Sequence, residues 1–126
     1  MELKFYVCKH CGNIIAFAKN TGVPVMCCGE KMQSLTPNTT DAAQEKHVPI
    51  IQQEGNCVTV QVGSVAHPMT EEHDIEWICL QSVQGNQRKC LKPGDQPQAT
   101  FMLCPDDQVT AAFAYCNLHG LWKAEA

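Results

Sequence analysis

Cys8-Lys9-His10-Cys11-Gly12 and Cys27-Cys28-Gly29 gather four thiols into a stretch with too little apolar side chain to fold by burial alone. A C-x-x-C knuckle aims two sulfurs and nearby backbone N–H groups at one point. A bound metal then supplies the free energy that so small a core lacks. Four thiolates suit tetrahedral Zn²⁺ or iron, and the spacing does not choose between them. The adjacent pair Cys27-Cys28 departs from the second C-x-x-C of an ordinary zinc ribbon, because side chains at i and i+1 diverge. His10 lies inside the knuckle, surplus to four thiolates, and is expected to face solvent. Phe5-Tyr6-Val7, Ile14–Phe17 and Val23-Pro24-Val25 read as short strands, the last two around a turn at Asn20-Thr21-Gly22.

Residues 33–44 are polar and small and read as a linker, with Asp41 placed to cap a helical turn over Ala42–Glu45. From His47 onward the pattern has period two. Val58, Val60 and Val62 alternate with Cys57, Thr59 and Gln61; Ile75, Trp77 and Cys79 with Glu76, Ile78 and Leu80. Ala99, Phe101 and Leu103 alternate with Thr100, Met102 and Cys104, and a last run covers Val109–Cys116. Turn signals fall at Glu54-Gly55-Asn56, Gly85-Asn86, Lys92–Asp95 and Pro105–Asp107. Short alternating strands between regular turns predict an antiparallel sandwich or barrel.

A chain of 126 residues, 44% hydrophobic, is long enough for one such domain plus a very small one. A net charge of -4 argues against nucleic acid as the main partner. No apolar run approaches a membrane span, and Met1-Glu2-Leu3-Lys4 shows no signal-peptide core, so a cytoplasmic protein is expected. In a reducing compartment, an odd count of nine cysteines favours metal ligation over a disulfide framework. Cys57, Cys79, Cys90 and Cys104 match no metal spacing and are expected to be buried free thiols, all but Cys90 in strands.

Near the end of the chain, Cys116-Asn117-Leu118-His119-Gly120 sets a thiol and an imidazole three residues apart. Two donors cannot close a coordination sphere. The other candidates are His47, expected to open a strand, and His67 and His73, which flank a loop. One histidine at a strand end is usually a surface or cap residue; four of them beside a C-x-x-H pair point to a metal.

Glu45-Lys46-His47-Val48-Pro49, Ala66-His67-Pro68-Met69, Glu72-His73 and Cys116-Asn117-Leu118-His119-Gly120 resemble the superoxide reductase signature. Cys8, Cys11, Cys27 and Cys28 resemble desulforedoxin. Together they resemble the desulfoferrodoxin family, the two-iron superoxide reductases, over nearly the whole chain. The resemblance implies an all-β protein: residues 1–36 a desulforedoxin- or rubredoxin-like iron domain, residues 37–126 an immunoglobulin-like antiparallel β-sandwich. It implies two iron ions per chain. One is a tetrahedral tetrathiolate iron on Cys8, Cys11, Cys27 and Cys28. The other is a square-pyramidal catalytic iron with His47, His67, His73 and His119 equatorial and Cys116 axial.

The implied activity is one-electron reduction of superoxide to hydrogen peroxide, a detoxification under oxidative stress. The implied partners are superoxide, a small external electron donor such as rubredoxin, and a second copy in a homodimer, with no nucleic acid and no membrane. Five protein ligands leave the position opposite the thiolate open, the mark of a catalytic site. Lys46 is expected to add positive potential at its mouth, and Glu45 to ligate the oxidised iron. Cys116 would donate electron density to the iron, with the N–H groups of Leu118 and His119 bonding its sulfur. The N-terminal iron reads as structural. Trp122 is placed to shield the site, and no role is assigned to Asp74. Two readings compete: a non-catalytic iron- or zinc-binding protein that transfers electrons or binds a partner, and a dismutase. The dismutase would have to oxidise superoxide as well.

Overall fold

The computed structural model describes residues 2–126. Met1, the first residue of the expected iron domain, lies outside them. Internal contacts divide the chain into one unit ending at Thr36 and a second over Pro37–Ala126.

In the first unit, β1 (Phe5–Val7) pairs antiparallel with β2 (Ile14–Ala16) on one side and β5 (Gln33–Ser34) on the other. β5 begins the stretch expected to be a linker, so the linker is shorter than its composition suggested. β3 (Met26–Cys27) and β4 (Glu30–Lys31) form a hairpin whose two turn residues, Cys28 (φ 51°) and Gly29 (φ 78°), are both left-handed. That is the pattern of a type I′ turn, where Asn-Gly is usual and a bulkier first residue costs energy. The strand expected at Val23–Val25 starts instead at Met26. The unit's buried apolar residues are Phe5, Cys8 and Met32.

The second unit is a sandwich of two antiparallel sheets. One has the order β10-β7-β6, from β6 (Pro49–Glu54), β7 (Cys57–Val62) and β10 (Gln98–Met102). The other has the order β12-β11-β8-β9, from β8 (Ile75–Ser82), β9 (Gly85–Cys90), β11 (Val109–Cys116) and β12 (Gly120–Glu125). Val58, Val60, Val62 and Phe101 of the first sheet share a core with Ile78, Leu80, Ala112, Ala114 and Cys116 of the second. β9 escapes the period-two reading because all its residues are exposed. Gln87 and Lys89 of β9 donate side-chain hydrogen bonds to the carbonyls of Met102 and Thr100, covering the free edge of β10.

His47 does not open a strand; it ends a one-turn helix, α1 (Gln44–His47). Asp41 does not cap that helix. Ala43 stands at its N-cap with no side-chain cap bond. Val48, extended as a residue before proline prefers to be, stops the helix. Among the spare cysteines only Cys79 is buried. Cys57 is half-buried, because odd positions of β7 face outward, while Cys90 and Cys104 are exposed. Cys104 lies past the end of β10, in a turn closed by the bond from Asp107 N–H to its carbonyl.

Antiparallel pairing brings the loops of interest to one end. The start of β6 pairs with the end of β7 (Pro49↔Val62), and the start of β8 with the end of β11 (Ile75↔Cys116). α1, the β7–β8 loop and the β11–β12 turn all lie there. The Glu45 carbonyl accepts from Val65 N–H at 2.9 Å and from Ser64 Oγ at 3.2 Å. Gly63 lies beneath: a Cβ there would sit 2.6 Å from the Glu45 carbonyl oxygen and 3.1 Å from that of Val48. Gly63→Ala is therefore expected to lower stability by about 1–3 kcal/mol, the usual cost of overpacking, as measured by denaturant unfolding. An unchanged midpoint would show that α1 moves aside freely.

Candidate metal centres

The four thiols of the first unit lie with their sulfurs within 4.8 Å of one another. The Cys11 and Cys27 sulfurs are 3.6 Å apart, and the Asn13 side-chain amide points at the Cys27 sulfur from 3.8 Å. The left-handed turn at Cys28 is what lets adjacent cysteines both reach the cluster. Crowding splits their acidity. The Cys11 backbone N–H, together with other nearby donors, draws the Cys8 thiol down to about 6. The thiols of Cys8 and Cys11 push Cys28 up to about 12. Only a cation at the centre lets all four ionise together, as a thiolate metal site requires. Cys11 and Cys28 are exposed, and His10, as its position suggested, faces solvent and meets Glu30 at 3.1 Å.

At the end of the sandwich four imidazoles form a ring. Neighbouring ring centroids are 4.7 Å apart for His47–His67, 4.5 Å for His67–His73, 5.1 Å for His73–His119 and 4.9 Å for His119–His47. Each neighbouring pair is close to perpendicular, at 77–86°. Across the ring, His47 and His73 are 6.3 Å apart and tilted by only 32°. A tetrahedron would make every pair equivalent; four short sides and a longer diagonal describe a square. The donor atoms of His47, His67, His73 and Cys116 lie within 4.8 Å of one another. His119 joins through Nδ1, 3.1 Å from His47 Nε2 and 3.9 Å from the Cys116 sulfur.

Hydrogen bonding fixes the tautomers. His47 Nδ1 lies 2.7 Å from the Ala43 carbonyl and His67 Nδ1 lies 2.7 Å from the Pro68 carbonyl. A carbonyl only accepts, so Nδ1 carries the proton in both rings and both Nε2 atoms are bare. Those two bare nitrogens face each other at 3.2 Å, and His73 Nε2 is buried with no hydrogen-bond partner. Buried lone pairs that converge without a proton between them need a cation.

Burial supplies the right protonation state, drawing His67 down to about 4 and lowering His47 and His73, so the rings are neutral and free to ligate. Burial pushes the Cys116 thiol up, against the N–H groups of Leu118 and His119, which bond its sulfur as the sequence suggested. A thiolate there also calls for a metal. Trp122, fully buried, stacks on His47 at 4.8 Å and donates its indole N–H to the His119 carbonyl at 3.1 Å.

Lys46 and Glu45 are exposed on α1 beside His47. Burial is the main cause that lowers His47 and His73, and the positive charge of Lys46 adds to it. The Ala43 and Pro68 carbonyls escaped the sequence reading, since no residue type marks a backbone acceptor. Thr70 escaped it too. Its N–H donates to the His73 carbonyl at 2.9 Å and its hydroxyl accepts from His73 N–H at 3.1 Å.

A desulfoferrodoxin family model matches residues 39–125. The desulfoferrodoxin of Nitratidesulfovibrio vulgaris is 50% identical over 125 residues, covering 99% of this chain and 98% of the relative. The crystal structure of the superoxide reductase from Treponema pallidum superposes with a TM-score of 0.84 at 42% identity, covering 99% of this chain and all of that one. The one-iron superoxide reductase from Giardia intestinalis covers 65% of this chain, with a TM-score of 0.55 at 35% identity. The shared sandwich, the thiolate cluster and the square of imidazoles above a buried thiol agree with these likenesses: the chain belongs to the desulfoferrodoxin family.

Proposed function

We propose that the protein is a superoxide reductase that converts superoxide to hydrogen peroxide at the square of His47, His67, His73 and His119 with Cys116 beneath, drawing electrons from a small external carrier. The observation that carries this is the pair of bare nitrogens on His47 and His67, 3.2 Å apart within that square. The donor set is four imidazoles and one thiolate, five protein ligands that suit iron and would leave room for a sixth. His47, His67, His73, His119 and Cys116 would hold an iron, which would supply one-electron reduction of a small anionic oxidant.

The chain's own residues do the rest. Burial holds the His47, His67 and His73 rings neutral, and Cys116 brings the negative charge to the ligand set. The N–H groups of Leu118 and His119 stabilise that sulfur as thiolate and moderate its donation. Lys46 draws the substrate anion toward the ring against the acidic charge of the whole chain. Glu45, two residues before His47 on α1, would supply a carboxylate to the oxidised iron. Cys8, Cys11, Cys27 and Cys28 hold a second iron whose main task is to fold residues 1–36, while residues 37–126 form the catalytic domain. A rubredoxin-like donor, a homodimer and a cytoplasmic setting complete the reading. Among the described residues no helix is long and apolar enough to cross a membrane.

Peroxide yield tests the activity. With excess external reductant, the iron-loaded protein is expected to give one peroxide for every superoxide consumed. A dismutase gives one for every two, and a non-catalytic carrier consumes none; either result would defeat the proposal. Lys46→Ala should lower the second-order rate constant with superoxide by up to about tenfold and flatten its dependence on ionic strength. Glu45→Ala should leave that constant alone and shift the absorption of the oxidised protein. Stripping the metals should abolish amide protection in β1, β2 and β5 while β7, β8 and β11 keep theirs, because among its described residues the first unit buries only Phe5, Cys8 and Met32 as apolar side chains. Protection that survives in β1 would refute the folding role.

A further inference from the structure

The β8–β11 ladder slips register at its last step, where Tyr115 pairs with Trp77 but Cys116 with Ile75. Beyond Cys116 the chain must turn at once, because Cys116 already pairs with Gly120 in the next hairpin. Asp74, only 7% exposed, lies just beyond the last pair of the ladder and presents a backbone N–H that needs an acceptor.

The Asn117 side chain fills the gap. Its Oδ1 accepts from Asp74 N–H at 3.0 Å, and its Nδ2 donates to the Glu72 carbonyl at 3.0 Å. Its backbone N–H donates to the Asp74 carbonyl at 3.2 Å. One residue of the hairpin that carries Cys116 and His119 thus grips the chain on both sides of His73. Thr70 shapes the His73 loop from within. Asn117 alone ties that loop to the hairpin among the hydrogen bonds described, so it sets where the His73 ring stands relative to the Cys116 sulfur.

We propose that Asn117 is a positioning residue that holds His73 in the square and thereby biases the site toward iron over zinc. The inference rests on the reading of His73 and Cys116 as ligands. Its chemistry is geometric. Divalent zinc normally outcompetes ferrous iron for the same donors, so a site selects iron through shape. Three imidazoles and a thiolate make a good tetrahedral zinc site, whereas a fourth imidazole locked into the plane spoils that tetrahedron. An amide is needed because only Asn at this length offers an acceptor to Asp74 and a donor to Glu72 together.

The test is competitive loading of the full chain with Fe(II) and Zn(II), read by metal content and by the thiolate-to-iron absorption of the oxidised protein. Asn117→Ala is expected to weaken Fe(II) at the sandwich site by about 10–100-fold, the usual cost of losing an outer-shell partner. Zn(II) should weaken less, the absorption band should shift, and the tetrathiolate iron should be unchanged. Asn117→Asp keeps the acceptor for Asp74 N–H and loses the donor to Glu72. It should change in the same direction by less, and it serves if Asn117→Ala does not fold. An unaltered band and affinity in the variant that folds, or an equal loss for both metals, would overturn the proposal. Wild-type protein lacking a thiolate-to-iron band would instead overturn the ligand reading on which it rests.

Discussion

Two unprotonated imidazole nitrogens, held 3.2 Å apart in a buried pocket, are the constraint on which the catalytic half of this molecule turns. Each ring is oriented from behind by a backbone carbonyl, Ala43 for His47 and Pro68 for His67. The carbonyls take the only proton each ring has, so without a cation the rings repel. The sandwich is the frame that withstands that repulsion. Cys116 belongs both to the hydrophobic core and to the cluster of donors, so packing of the two sheets fixes the sulfur as rigidly as any valine. Trp122 stacks on the His47 ring, and Thr70 holds the His73 backbone.

The first unit solves the opposite problem. The sandwich would have a core without its metal; residues up to Thr36 would scarcely have one, with Phe5, Cys8 and Met32 as their buried apolar side chains. In the proposed reading a metal substitutes there for a core, and the left-handed cysteine at position 28 completes its ligands. One chain therefore uses metal in two ways: as the interior of one unit, and as a reactive centre at the end of another.

The alternation of Val58, Val60 and Val62 made the sandwich legible, because one face of β7 is buried, and the apolar run Val109–Cys116 did so because β11 is buried on both faces over Ala111–Ala114. β9 was silent for the converse reason: a fully exposed edge strand carries no apolar period. Asp41 looked like a cap, yet the helix it might have started begins three residues later, where Val48-Pro49 and the close approach of Gly63 govern the backbone. At the site, the residue types that bind metals were visible, while the groups that aim them were not. Carbonyls have no residue signature, Asn117 acts through backbone atoms far away in sequence, and Thr70 acts through the backbone of His73. The spare cysteines misled because a thiol's burial depends on strand parity and loop position, which spacing alone does not reveal.

The most direct test of the account is an anomalous difference map at the iron edge from crystals of the iron-loaded protein. It should show two peaks in each chain. One should lie among the sulfurs of Cys8, Cys11, Cys27 and Cys28. The other should lie within the square of His47, His67, His73 and His119, with the Cys116 sulfur on one side and, in reduced crystals, no protein atom opposite. A single peak, or a second one with the Cys116 sulfur turned away or a histidine outside the plane, would contradict the account.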